Sequence, residues 1–427
     1  MRAQNLSKPI FWGAADIIIE QTIQLVLLFV LSRNISAQIF GLLAAIQVIT
    51  FFSMLVIDSG LGASIVRYQV TERKKIDAIF TLNFVTAVVA VFVLFSQKSF
   101  FLNWFSIEEY SSIFLIGLLG ILLDSYGVTQ YNQLKRDLRF KTTTLITAFS
   151  TVPNLVIVLF YTRDLKEEFL ILLVILVPRL LRTFAYLISG SYNPRISFKF
   201  RSISEERKYG FKLLYLAFLN WINKGALVFF VGGTLGPTQL GYLNRAQSLQ
   251  AFVGKTLSTF LNRIGFSSFS KLQNDVEEVV KLYNKGVLLM VCGIAMTSLT
   301  LQFFAKEIVE IILGEGWEAS AVILVGLVPL AAALPFYELN RTLLTALGDL
   351  KMMLRLDTLD KLFLVCSLIF LHTMPLGEIL FILAAIRLLF LSVSFMVVRN
   401  KLRSDIALLP GLSLLLILVL MVNSRVI

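Results

Sequence analysis

Apolar runs of about twenty residues recur along the whole chain, and each can cross ~30 Å of hydrocarbon as a helix. The sequence is 57% hydrophobic and only 15% charged, with a mean hydropathy of +0.80. A soluble protein of 427 residues would need far more charged surface. Twelve spans are expected, at roughly 10–32, 38–64, 76–97, 111–133, 142–162, 169–190, 211–232, 239–262, 286–304, 319–345, 356–373 and 377–398. A thirteenth apolar run covers 406–422.

The basic residues orient this map, because cytoplasmic loops of membrane proteins collect Lys and Arg. With the N-terminus in the cytoplasm, 26 of the 39 Lys and Arg residues fall on the cytoplasmic side and six on the opposite side, from Arg33 to Arg425. The cytoplasmic set includes the group Lys135, Arg136, Arg139 and Lys141, and it also takes in Lys361. The net charge of +12 therefore follows from topology and gives no reason to invoke nucleic acid. The first apolar segment carries Asp16 and Glu20 and lacks a small-residue cleavage site, which argues against a cleaved signal peptide. Cys292 and Cys366 lie within spans and imply no disulfide framework.

The remaining seven cations, Arg179, Arg182, Lys224, Arg245, Lys255, Arg341 and Arg387, sit inside apolar stretches. A charge at bilayer depth costs at least ~2.5–3.5 kcal/mol, so such residues face a bundle interior or an aqueous cavity. Helical spacing groups them. Asp16, Glu20 and Gln24 share one face, as do Arg179, Arg182 and Tyr186. Asn220, Asn223 and Lys224 form a patch beside Trp221, and Arg245, Ser248, Lys255, Thr256 and Thr259 fall on one half of their helix. Glu338 and Arg341 are spaced to pair with each other, whereas Arg387 is alone on its span, open to snorkelling or to pairing with an acid. Of the five acids read as buried, four (Asp16, Glu20, Asp58 and Asp124) precede residue 200, and five of the seven cations follow it. The expected sites are therefore an anionic headgroup held by Arg179, Arg182, Lys224, Arg245, Lys255 and Arg341, and a coupling cation bound by Asp16 or Glu20.

The polar link 191–210 divides a first lobe, 1–200, from a second, 201–400, followed by the apolar segment 401–427. An offset of 200 aligns Phe11 with Phe211, Leu27 with Leu227, Phe29 with Phe229, Gly41 with Gly241, Leu43 with Leu243 and Gln47 with Gln247. Parallel repeats in transporters have this character. No phosphate-binding loop, dinucleotide fingerprint, HExxH or GxSxG occurs, and the single histidine, His372, sits at the outer end of a span. An enzyme is not expected, and neither is a bound metal or an ATP-driven pump.

Six segments carry a family resemblance: SRNISAQIFGLLAAIQ at 32–47, IDSGLGASIVR at 57–67, QLKRDLRFK at 133–141, LGPTQLGYLNRAQSL at 235–249, LGEGWEAS at 313–320 and LLTALGD at 343–349. In order and spacing the chain resembles the polysaccharide (Wzx-like) flippases of the multidrug/oligosaccharidyl-lipid/polysaccharide (MOP) export superfamily. That resemblance implies an all-α polytopic fold of two six-helix lobes around a central cavity, in the bacterial cytoplasmic membrane. It implies translocation of a polyprenyl-pyrophosphate-linked oligosaccharide by alternating access, for O-antigen, exopolysaccharide or capsule synthesis. Coupling to a H+ or Na+ gradient, no cofactor, and a polysaccharide polymerase and chain-length regulator as partners go with it. A drug or cation antiporter of the same superfamily is the nearest alternative, and a membrane-embedded polymerase a more distant one. Neutralising Asp16 and Glu20 together is expected to change transport or its ion dependence; unchanged transport in reconstituted vesicles would remove the coupling assignment.

Overall fold

The computed structural model describes residues 7–402 except 163, 164, 190, 191 and 273; at 7, 9, 10, 224, 252–267, 270 and 350 it describes the backbone alone. Among these residues there are helices and no strands, so the expected all-α class is what forms. Ten helices are long and apolar enough to cross a membrane, and the protein is a multi-pass membrane protein.

One compact unit runs to Gly225 and also takes in Leu235–Thr238. It begins with α1 (Ser7–Ser32), α2 (Ala37–Asp58), the short α3 (Leu61–Arg67), α4 (Arg73–Ser96) and α5 (Lys98–Trp104). It continues with α6 (Ser111–Arg136), α7 (Phe140–Tyr161) and α8 (Glu167–Ile188). Here α1 packs on α7, α7 on α8, and α2, α4 and α8 all pack on α6. The turn between α2 and α3 carries Ser59 and Gly60 at φ 46° and 68°. Asp58 Oδ1 accepts the Gly62 N–H at 3.0 Å and so caps the first turn of α3. Asp58 is therefore a turn-forming residue.

The polar link after α8 has no regular secondary structure over 192–199 and is pinned to the first turns of α4. The Tyr192 hydroxyl donates to Asp77, the Arg195 N–H donates to the same carboxylate at 3.2 Å, and the Ser197 N–H donates to Thr81 Oγ1 at 2.8 Å. Burial and the neighbouring Asp77 charge both push the Tyr192 hydroxyl's pKa upward, keeping it a donor. The link ends earlier than its composition implies: α9 (Ser204–Leu272) starts at Ser204, and Lys75 holds Glu206 at 3.2 Å.

Spans seven and eight both lie in α9, which breaks at Gly236 (φ 81°, ψ 175°) ahead of Pro237. The offset of 200 brings this break onto Ser36, the residue that precedes α2. The second compact unit comprises Ala226–Thr234 and the chain from Gln239 onward. Its later helices are α10 (Val276–Leu313), α11 (Glu318–Ala346), α12 (Leu350–Phe370) and α13 (Leu376–Leu402). Tyr283, Phe336, Leu343 and Phe395 form a core between α10, α11 and α13. The Tyr283 hydroxyl is satisfied by Asn340, whose amide donates to Ser394 Oγ at 2.7 Å. Each expected span through 398 therefore falls on a helix; the run 406–422 lies outside the described residues.

One assignment changes. Lys361 was counted with the cytoplasmic cations, yet it lies eleven residues into α12 and is 6% exposed. The sequence DTLDK, with Lys351 and Arg355 before it, makes α12 too charged to stand out by hydropathy, and it is not among the ten apolar spans.

Gly41 sets the closest approach in the first unit. A Cβ there would lie 1.7 Å from the carbonyl oxygen of Pro237, which is backbone and cannot turn aside. Gly41→Ala is expected to cost about 1–3 kcal/mol by overpacking. The check is a lowered thermal midpoint of the detergent-solubilised protein, with Gly13→Ala, where the added carbon has 3.8 Å of room, as the unaffected control.

Candidate functional site

In the first unit the polar residues of α6 and α8 meet in a seven-residue register. Gly120 and Gly127 on α6 lie against Arg179 and Tyr186 on α8; a Cβ at either glycine would stand 2.8 Å from the facing side chain. Small residues let the two helices approach closely, as is usual in membranes. Between the glycines, Asp124 Oδ2 accepts from Arg179 Nε at 2.9 Å, and Leu123 O accepts from Thr183 Oγ1 at 3.2 Å. Arg179 Nη1 also donates to the Ile175 carbonyl at 2.8 Å, beside the helix interruption at Pro178. Each side chain of this ion pair is about a fifth exposed (21% and 22%), and the pair ties two spans together.

Arg182, one turn further on, is half-buried. Among the described residues it has neither an ion pair nor a hydrogen bond. Its charge reaches the buried Tyr186 hydroxyl, as do those of Asp16 and Asp124, so α1 contributes to the same polar region. Asp16 Oδ1 is buried with no hydrogen-bond partner among the described residues. Glu20, one turn along α1, is exposed and accepts from Gln24 at 3.3 Å. The predicted face Asp16–Glu20–Gln24 forms, with its two acids in different surroundings.

In the second unit Arg245 donates to Asn244 Oδ1 at 2.5 Å. Arg341 pairs with Glu338 at 3.3 Å, as their spacing predicts. Lys224 and Lys255 fall at positions of α9 whose side chains lie outside those described. Of the two outcomes open to Arg387 on α13, pairing with an acid is the one that forms: its Nη1 reaches Asp360 Oδ2 on α12 at 2.6 Å. Lys361 donates to the same oxygen, and Tyr337 on α11 donates to Asp357 Oδ1 at 2.8 Å.

The sequence reading leaves out Tyr337, Asp357, Asp360 and Lys361 because it groups Lys361 with the cytoplasmic cations although residue 361 falls inside the expected span 356–373. The signal available was two acids and a lysine within five residues of an apolar stretch. They also correct the charge asymmetry between lobes. In the second unit Asp357 and Asp360 stand on a span beside the already noted Glu338, and Arg341, Lys361 and Arg387 each contact one of these three acids.

A family described as "Polysaccharide biosynthesis protein" matches residues 30–322. The chain belongs to this family. Five of the six segments that carry the resemblance fall inside that match. The family member is 22% identical over 345 residues to the lipopolysaccharide biosynthesis protein WzxC of Escherichia coli, covering 80% of this chain and 68% of the relative. It is 21% identical over 319 residues to an uncharacterized membrane protein in the cps region of Klebsiella pneumoniae, covering 72% of this chain and 64% of the relative. The chain thus spans about two thirds of the length of these curated relatives. Its fold is similar to that of the lipid II flippase MurJ in an inward closed conformation, with TM-score 0.76 and 14% identity over 97% of this chain and 92% of that one. It is also similar to an inward-facing multidrug resistance MATE transporter of the MOP superfamily, with TM-score 0.69 and 12% identity over 92% and 98% of the two chains. The fold is therefore of the MOP type.

Removing one member of the Asp124–Arg179 pair strands the other in the membrane. Arg179→Ala is expected to destabilise the protein by about 1–3 kcal/mol, and the double variant Asp124→Asn/Arg179→Gln by less. Thermal unfolding in detergent checks both, and equal losses would show that the pair contributes nothing specific.

Proposed function

We propose that this chain is a non-enzymatic flippase that carries a polyprenyl-pyrophosphate-linked oligosaccharide across the cytoplasmic membrane, from the inner to the outer leaflet, by alternating access. The observation that carries the reading is Arg182: a half-buried cation within a span, with no acidic partner among the described residues, in a member of a polysaccharide biosynthesis family. Keeping such a charge at membrane depth is costly unless something anionic visits it, and a pyrophosphate supplies that partner through charge-assisted hydrogen bonds.

Arg179, Arg182, Lys224, Arg245, Lys255 and Arg341 are the proposed headgroup cations. Arg179 and Arg341 each hold an acid already, at 2.9 Å and 3.3 Å, and would have to exchange it for the headgroup. Transport is coupled to a H+ or Na+ gradient through Asp16 and Glu20, and the buried Oδ1 of Asp16 favours it over the exposed Glu20 as the binding group. The N-terminus is cytoplasmic, and a polymerase and a chain-length regulator receive the product.

The likeness to a MATE transporter concerns the fold alone. The family match supports glycan cargo over drug cargo.

Loss of one hydrogen bond to a charged group costs about 1.5–3 kcal/mol, so Arg182→Gln is expected to slow translocation by at least about tenfold. The measurement is leaflet-resolved transport of a lipid-linked oligosaccharide in proteoliposomes, read by accessibility to an external glycosidase. Wild-type rates in Arg182→Gln would overturn the role of Arg182. A folded wild type that moves cationic drugs and no lipid-linked glycan would overturn the flippase reading.

A further inference from the structure

One face of α4 is shared by Asp77, Thr81, Phe84, Val85, Val88 and Phe92, at i, i+4, i+7, i+8, i+11 and i+15. The four apolar residues are exposed on a helix long and apolar enough to cross a membrane, so this face meets lipid. The two polar residues that begin it are buried, and what covers them is the link after α8. The Asp77 carboxylate accepts from the Tyr192 hydroxyl and the Arg195 N–H. Thr81 Oγ1 donates to the Asp77 carbonyl at 2.7 Å and accepts the Ser197 N–H at 2.8 Å. Non-helical backbone beside hydrocarbon needs partners for its N–H groups, and α4 supplies two of them. The link therefore lies on a lipid-facing side of the first unit, at the foot of an apolar stripe.

The side chains of the link divide accordingly. Phe200 and Ile203 pack with Ile65 and Ile79. Ile196 and Phe198 stand outward, 73% and 70% exposed, with the Phe198 ring edge-on to Phe200 at 6.0 Å. Arg195, Lys199 and Arg201 are interleaved with them and exposed. No acid occurs in 192–203, and among the described residues none of these three cations has an ion pair. The acids that follow belong to α9, where Glu206 is taken by Lys75.

We propose that the link 192–203 is a binding site for anionic phospholipid. Ile196 and Phe198 enter the acyl-chain boundary, as the apolar side of an interfacial segment does. Arg195, Lys199 and Arg201 turn their charged ends to the headgroup layer and hold its phosphates through charge-assisted hydrogen bonds. An acidic protein segment would suit the three cations but not Ile196 and Phe198, which continue the lipid-facing stripe of α4; a lipid suits both. With the N-terminus in the cytoplasm, as proposed above, the leaflet concerned is the cytoplasmic one, whose anionic lipids attract basic segments.

This site does not rest on the flippase reading and is tested without cargo. In the full chain, Cys292→Ala/Cys366→Ala removes the native thiols, and Phe198→Cys carries a bimane fluorophore. The protein is reconstituted in equimolar phosphatidylglycerol and phosphatidylethanolamine, with brominated acyl chains on one lipid or the other as the quencher. Quenching at 198 is expected, with the anionic lipid enriched there at least about tenfold, since each basic residue near an anionic surface contributes a factor of about five. The preference is expected to vanish in Arg195→Gln/Lys199→Gln/Arg201→Gln and to persist in Arg195→Lys/Arg201→Lys, which keeps the charge. A bimane at Phe92→Cys, further along the same stripe, is expected to be quenched equally by both lipids in every variant, which also shows that α4 is intact. A fluorophore at 198 that no brominated lipid quenches would mean that water or a protein covers the link, and would overturn the proposal. So would equal quenching by the two lipids in the otherwise unaltered chain, or a preference that survives loss of the three cations.

Discussion

A polar group carried into hydrocarbon must find its partner inside the protein, and this requirement organises the whole molecule. The backbone meets it by forming helices throughout. Side chains have to meet it across helices, so each intramembrane charge also becomes a packing constraint. In the first unit Arg179 can occupy its place because Asp124 faces it from α6 and because Gly120 leaves room for the guanidinium. In the second, Arg387 and Lys361 are held where they are by one carboxylate.

The two units answer the requirement differently. The first pairs a single cation and leaves Arg182 one turn away, near Tyr186 and Asp16. The second, besides the Glu338–Arg341 pair, gathers Asp357, Asp360, Lys361 and Arg387 into a compact group with the Tyr337 hydroxyl, and its apolar core includes Phe336 and Phe395. A transporter needs both kinds of charge. One kind is satisfied at rest and holds helices together; the other, under the proposed function, receives the anionic cargo.

The family and the fold agree in type. Low identity to MurJ and to a MATE transporter leaves cargo to be decided by side chains, because a shared fold hosts many functions. On that ground the placement of Arg182, Asp16 and the Asp360 cluster is more informative than overall similarity.

The ten apolar spans found among the described residues were legible in the sequence because hydropathy is a local property, summed over the twenty residues that cross a bilayer. The Glu338–Arg341 pair was legible for the same reason, its partners being three residues apart on one helix. The offset of 200 was legible as six matched residue pairs, whereas the helix break it superposes, at Ser36 and Gly236, came from the structure. The contacts Arg179–Asp124, Arg387–Asp360 and Tyr337–Asp357 were not, since they join residues 55, 27 and 20 positions apart on helices whose rotation about their own axes no hydropathy profile fixes. The sequence by itself determined that this chain crosses the membrane many times, and which residues carry charge into it. Only the tertiary structure decided which of those charges neutralise one another, because pairing depends on which faces of neighbouring helices are turned together.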